Sequence, residues 1–132
     1  MFFNPSETLT FYRQSDRESG KDQNMNIFKD TRNDKPPGML ITDNAGLIRA
    51  SEILSKEKEI GVDLESDSMF HYRDKICLVQ ISVPGLDILI DTLSVKDLGT
   101  LLPIFSNPCI RKVFHGADYD IRSLFRDFGI EV

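Results

Sequence analysis

Cysteine is scarce, with only Cys77 and Cys109 in 132 residues. The two lie far apart and form no Cys-x-x-Cys pattern, so neither a zinc site nor redox chemistry is indicated. Two buried, reduced thiols in a cytoplasmic protein are the expectation. Long hydrophobic runs are also missing. No apolar stretch approaches the ~18 residues of a membrane span, so no membrane partner is expected. Residues 1–7, which read MFFNPSE, lack the basic-then-apolar order of a secretory leader. There is no excess of positive charge either, the formal net charge being −5 with a pI near 5.0. This argues against a general nucleic-acid coat protein, which is basic overall. It does not exclude a nuclease, because metal-binding carboxylates count as negative until a cation arrives. Internal repeats and low-complexity runs are absent. What is present, 40% hydrophobic content over 132 residues, suffices for one compact domain with a sizeable core.

Residues 1–38 differ from the rest. Their apolar residues are sparse and without steady period, and polar runs dominate, so they read as a polar arm or linker. Six acidic and six basic residues balance there, which assigns the net negative charge to residues 39–132. The ordered part begins with a short strand at Met39–Thr42. Asp43 or Asn44 can then cap a helix to about Lys56 that turns Leu47, Ala50, Ile53 and Leu54 inward. Three β-rich stretches follow: Ile60–Glu65, Ile76–Ser82 and Leu86–Thr92. Pro84 and Gly85 mark the turn between the last two, so an antiparallel three-strand meander is expected.

Ser94 with Asp97 resembles a capping box, and Leu98, Leu101, Leu102 and Phe105 fall at helical spacing after it. Pro103 inside that stripe implies a kink or a later start. Arg111–His115 reads as a strand and Gly116 as a turn. A last helix then carries Ile121, Leu124, Phe125 and Phe128 at i, i+3, i+4 and i+7, closed by Gly129 at C′. The resulting class is α/β, a mixed sheet with flanking helices in which the Ile60–Glu65 strand is central and buried on both faces.

That strand holds the residues on which the functional reading turns. Asp63 and Glu65 stand two apart, so a strand projects both from one face while Val62 and Leu64 take the other. Two uncompensated carboxylates inside an apolar strand are costly unless something cationic neutralises them. Hard divalent ions such as Mg²⁺ or Mn²⁺ do so, because they prefer oxygen ligands. Asp-x-Glu alone is a common string and carries little weight. Asp120 adds to it: it lies in the first turn of the last helix, just past a strand end, where α/β sheets commonly place ligands. The plain alternative for Asp120 is charge complementarity with the helix N-terminus, which Asp118 satisfies better.

In order and at these spacings, Asp63-Leu64-Glu65, Gln80 within Cys77–Ser82, and His115 through Asp120 resemble the ribonuclease D family. That family is part of the DEDD superfamily of 3′–5′ exonucleases, with a ribonuclease H-like fold. The resemblance covers residues 39–132 and implies two bound ions, Mg²⁺ or Mn²⁺, that hydrolyse phosphodiesters at single-stranded RNA 3′ ends. It implies that Asp63 holds both ions, that Glu65 ligates one, and that Asp120 holds the second. Phe70, His71 and Tyr72 would stack terminal bases, or else pack on one another within their loop. Gln80 and His115 read as groups that support the ligands or else as core residues. The family's third motif, Tyr-x-x-x-Asp, does not follow Asp120. The chain is therefore expected to be the N-terminal part of such a domain, truncated, with incomplete chemistry. The alternative is a non-catalytic remnant that binds nucleic acid or protein. An open sheet of this kind exposes strand edges, which favours self-association.

Overall fold

The computed structural model describes residues 10–12, 27–29, 36–67 and 74–132. Seven strands form one sheet: β1 (Thr10–Tyr12), β2 (Ile27–Lys29), β3 (Gly38–Ile41), β4 (Glu59–Asp67), β5 (Lys75–Val83), β6 (Leu86–Asp91) and β7 (Arg111–Phe114). Their order across the sheet is β1-β2-β3-β6-β5-β4-β7. Strands β4, β5 and β6 make the antiparallel meander, β3 runs parallel to β6, and β7 runs parallel to β4. The first two strands extend the β3 edge in antiparallel fashion from within the polar N-terminal stretch.

Alternation sorts the sheet into two faces. Ile60 and Val62 on β4, Val79 and Ile81 on β5, Ile88 and Ile90 on β6, and Met39 and Ile41 on β3 are all buried in one core. Asp63, Gln80 and Leu89 lie opposite one another on the other face. The register slips between Glu65 and Ser66, leaving Cys77 as an extra residue and bringing Ile76 opposite Ser66. A bulge of this type restores Ile76 to the apolar face, where it is buried.

Helix α1 (Asn44–Leu54) starts where Asp43, extended at φ −147°, accepts the Gly46 N–H at 2.6 Å. That N-cap satisfies an orphan amide of the first turn and is worth ~1 kcal/mol. Leu47, Ala50 and Leu54 are buried as expected from their spacing, with Ile53 half-buried.

The second helical segment departs from expectation. Ser94 donates its hydroxyl to Asp91 at 2.7 Å instead of capping a helix, and Asp97 accepts the Gly99 N–H at 2.8 Å. A 3₁₀ turn at Gly99–Leu101 leads into the four-residue α2 (Leu102–Phe105), which takes Pro103 in its first turn, where a missing N–H costs nothing. Leu98, Leu101, Ile104 and Phe105 fill the core, and Leu102 faces outward.

Helix α3 (Ala117–Phe128) is bounded by glycines in left-handed conformations, Gly116 at φ 82° and Gly129 at φ 66°. Its buried stripe lies nearer Asp120, Ser123 and Leu124 than the apolar spacing implies, and Phe125 is exposed. Cys109 is exposed and Cys77 half-buried, so the expectation of two buried thiols fails. Cys77 sits at the bulge and Cys109 in a turn, and neither position is enclosed. Among the described residues, no helix is long and apolar enough to cross a membrane.

Candidate active site

The carboxylate strand is not central. Strand β4 is next to the edge strand β7, and β7 pairs only with its first half, Glu59–Val62. Among the described residues, β4 from Asp63 onward has a strand neighbour on one side alone, β5. The sheet therefore opens at the residue where the first carboxylate stands. Asp63 is half-buried, faces Gln80 across the ladder, and accepts the Leu64 N–H at 3.1 Å. Glu65 is exposed, lies opposite Leu78, and its backbone carbonyl accepts the Cys77 thiol at 3.3 Å. The expected burial on both faces fails from Asp63 onward, where Asp63 and Leu64 are half-buried and Glu65 is exposed because no described residue packs over its side chain.

Helix α3 covers part of this opening. It begins just past the end of β7, and it packs on β5 and β7, the two strands that flank β4. Gly116 makes the reversal possible, because an L side chain at φ 82° is strained even with open space around its Cβ. The first turn then carries Asp118 and Asp120. Asp118 is exposed, as expected for a charge that complements the helix terminus. Asp120 is only 7% exposed, and its Oδ2 is buried without a hydrogen-bond partner.

Electrostatics tie Asp120 to β4. Burial pushes its carboxyl up from the ordinary value, and the charge of Asp63 pushes in the same direction. His115, exposed between β7 and α3, opposes both. An unsatisfied buried carboxylate oxygen costs ~1–3 kcal/mol or more, and a like charge nearby adds to that. A hard cation relieves both penalties at once, so this pair fits a divalent ion bound through oxygen. Among the described residues, no group of three or more His, Cys, Asp or Glu side chains is arranged to hold a metal. The structure thus sets Asp120 within reach of the charge of Asp63 and leaves Glu65 exposed farther along the same strand. Phe70, His71 and Tyr72 lie outside the described residues.

Sequence reasoning missed the polar anchoring of α3. Asp127 accepts the Ile76 N–H at 2.9 Å, Arg126 donates to the Asp74 carbonyl at 2.6 Å, and Tyr119 donates to the Asp74 carboxylate at 3.0 Å. The only hint in the sequence was a pair of charges, Arg126 and Asp127, inside an apolar helical pattern.

Comparison with known proteins agrees with this architecture. A family model described as 3′-5′ exonuclease matches residues 39–132. The exosome complex exonuclease RRP6 of Saccharomyces cerevisiae is 48% identical over 82 residues, which is 61% of this chain and 11% of that protein. The catalytic core of RRP6 from Trypanosoma brucei superposes with a TM-score of 0.65 at 39% identity, covering 69% of this chain and 26% of that one. Escherichia coli RNase D, described as an exoribonuclease involved in structured RNA processing, gives a TM-score of 0.63 at 27% identity, over 68% of this chain and 24% of that one. The chain spans about a tenth of the length of its curated relative and about a quarter of each solved structure. With the matched region beginning at Met39, in β3, and running through both carboxylate-bearing elements, the chain belongs to the 3′–5′ exonuclease family, in its ribonuclease D-like branch.

Proposed function

We propose that residues 39–132 are the N-terminal part of a two-metal 3′–5′ exoribonuclease domain acting on single-stranded RNA 3′ ends, with residues 1–38 a polar arm. The observation that carries this reading is the buried, unpartnered Oδ2 of Asp120 under the charge of Asp63. Asp63 and Asp120 would hold Mg²⁺ or Mn²⁺, and Glu65 would join them from the open side of β4. When bound, such ions supply an activated water and stabilise the leaving oxygen at phosphorus. The chain itself positions the oxygens: β4 fixes Asp63 beside Glu65, and α3 fixes Asp120. Phe70, His71 and Tyr72 would stack terminal bases, and Gln80 and His115 would support the carboxylates. Cytoplasmic action and self-association through exposed sheet edges belong to the same proposal.

A trimming assay on 5′-labelled single-stranded RNA with Mn²⁺, with EDTA and with Asp63→Asn tests it. A metal-dependent ladder that the substitution removes is expected. Undiminished trimming by Asp63→Asn would defeat the assignment. Among the described residues Glu65 is exposed and is not gathered with Asp63 and Asp120 into a three-donor cluster, which favours a second reading, a binding remnant without turnover. RNA binding with no ladder from a folded chain would select it.

A further inference from the structure

Two kinds of contact hold α3 to the sheet. Leu124 is fully buried in the common core. Apolar burial turns one face of a helix toward the core, but being non-directional it leaves the finer rotation about the axis loosely set. The polar contacts are directional, and they fall at both ends of the helix. Near its C-terminus, Asp127 Oδ2 accepts the Ile76 N–H at 2.9 Å while its Oδ1 accepts Arg126 Nε at 2.7 Å. Arg126 Nη2 reaches the Asp74 carbonyl at 2.6 Å. In the first turn, Tyr119 Oη reaches Asp74 Oδ2 at 3.0 Å.

The Ile76 contact completes a ladder. Strand β6 ends at Asp91, whose partner is Leu78, so β5 runs on past its neighbour. The Thr92 hydroxyl donates to the Ile76 carbonyl at 2.6 Å, and Asp127 takes the Ile76 N–H. Side chains from two distant segments satisfy backbone groups that a strand would otherwise satisfy. Tyr119 is 48% exposed, so its ring adds little packing, and its contribution is the hydroxyl.

We propose that Tyr119, Arg126 and Asp127 form a positioning latch that clamps α3 to the start of β5 and so sets where Asp120 stands relative to Asp63. The inference rests on the two-carboxylate reading above. Functional groups of this kind must be held within about 0.5 Å and 10–20° of working geometry. Asp120 is the residue after Tyr119, so the Tyr119–Asp74 bond acts within one residue of the carboxylate it orients. None of the three latch residues is itself a proposed metal ligand. They act through Asp120.

The test measures Mn²⁺ binding by calorimetry and amide hydrogen exchange on the full chain, for wild type, Tyr119→Phe and Asp127→Ala. Ile88→Val serves as a control that weakens the core away from α3. Loss of outer groups that orient a metal ligand costs ~10–100-fold in affinity. Asp127→Ala is expected to weaken Mn²⁺ binding about tenfold, at the low end of that range, and to remove exchange protection at the Ile76 amide. Tyr119→Phe, which keeps the ring at an exposed position, is expected to weaken binding severalfold with an unchanged circular dichroism spectrum, and it carries the test if Asp127→Ala does not fold. The control should lose stability without losing affinity. Wild-type affinity in both latch variants would overturn the latch while leaving the nuclease reading intact. A wild-type chain that binds no Mn²⁺ would overturn both.

Discussion

The carboxylate of Asp120, in the first turn of α3, is buried and repelled by the carboxylate of Asp63 on β4. The two belong to elements that the sheet order brings together where β7 ends and β4 continues. That repulsion is a stability cost in the metal-free chain, and it has a sign that can be measured.

The folded-state value of the Asp120 carboxyl is raised, by burial first and by Asp63 second. Between the ordinary value of 3.8 and the higher folded one, the folded state holds a proton that the unfolded state has lost. Metal-free stability therefore falls as pH rises through that window and stays at the lower level above it. Asp120→Asn should flatten this decline and raise the thermal midpoint at neutral pH in EDTA. An unchanged or lower midpoint would mean the carboxylate is already neutralised by a partner within the chain.

Asp127 has the opposite sign. Burial would raise its carboxyl, but the hydrogen bonds from Arg126 and the Ile76 N–H outweigh that and hold it below the ordinary 3.8. Its contribution is present above the unfolded value and is lost as pH falls through the lowered folded one. Asp91, whose carboxyl is lowered chiefly by the Ser94 hydroxyl, adds to the same acid limb. Acid titrations of stability should show a shallower limb in Asp127→Asn than in wild type, and identical limbs would remove Asp127 from the account.

How far the sequence foretold this arrangement depends on the range of the forces involved. Asp43 acts through a side chain that reaches three residues ahead, and Gly85, Gly116 and Gly129 act through their own backbones, so the start of α1, the β5–β6 turn and both ends of α3 follow from local rules. The meander follows from β-rich runs of matching length. Ser94 failed as a cap because Asp91, three residues back, competes for its hydroxyl. The helix it was expected to start is reduced to four residues by the same turn and by Pro103. The apolar spacing favours Phe125 as core, yet it is exposed, and the helix face turned to the sheet is set by polar contacts of Arg126 and Asp127 up to 52 residues away. The extent of β7, which decides that Asp63 stands at an opening, is set by sheet pairing that no local pattern records.

Gly116 allows a test that bears on backbone alone. A Cβ there meets nothing within 4 Å, so any cost of Gly116→Ala is the left-handed conformation itself, about 1–2 kcal/mol. Denaturant unfolding should show a loss of that size, and Gly116→Asn should lose less, since Asn tolerates this region. A neutral Gly116→Ala would mean the strand-to-helix turn adopts a different geometry.

The apolar core offers a benchmark. Among the described residues Phe105 is the largest fully buried side chain, and it comes from the short helix that leads into β7. Truncation to Ala should cost about 3–5 kcal/mol by lost burial and cavity formation. The loss should appear in urea unfolding as a shift of midpoint at unchanged slope. A loss under about 1 kcal/mol, well below the usual range for such truncations, would contradict its packing.

The most direct measurement of the central claim is calorimetric titration of Mn²⁺ into the wild-type chain, Asp63→Asn and Asp120→Asn, all confirmed folded by circular dichroism. If Asp63 and Asp120 hold a divalent ion, wild type binds and each substitution weakens binding by more than about 100-fold, beyond the cost of losing an outer-shell partner. Equal affinity in wild type and both variants would contradict the account, because the cation would then be held elsewhere and the buried oxygen of Asp120 would have no part in it.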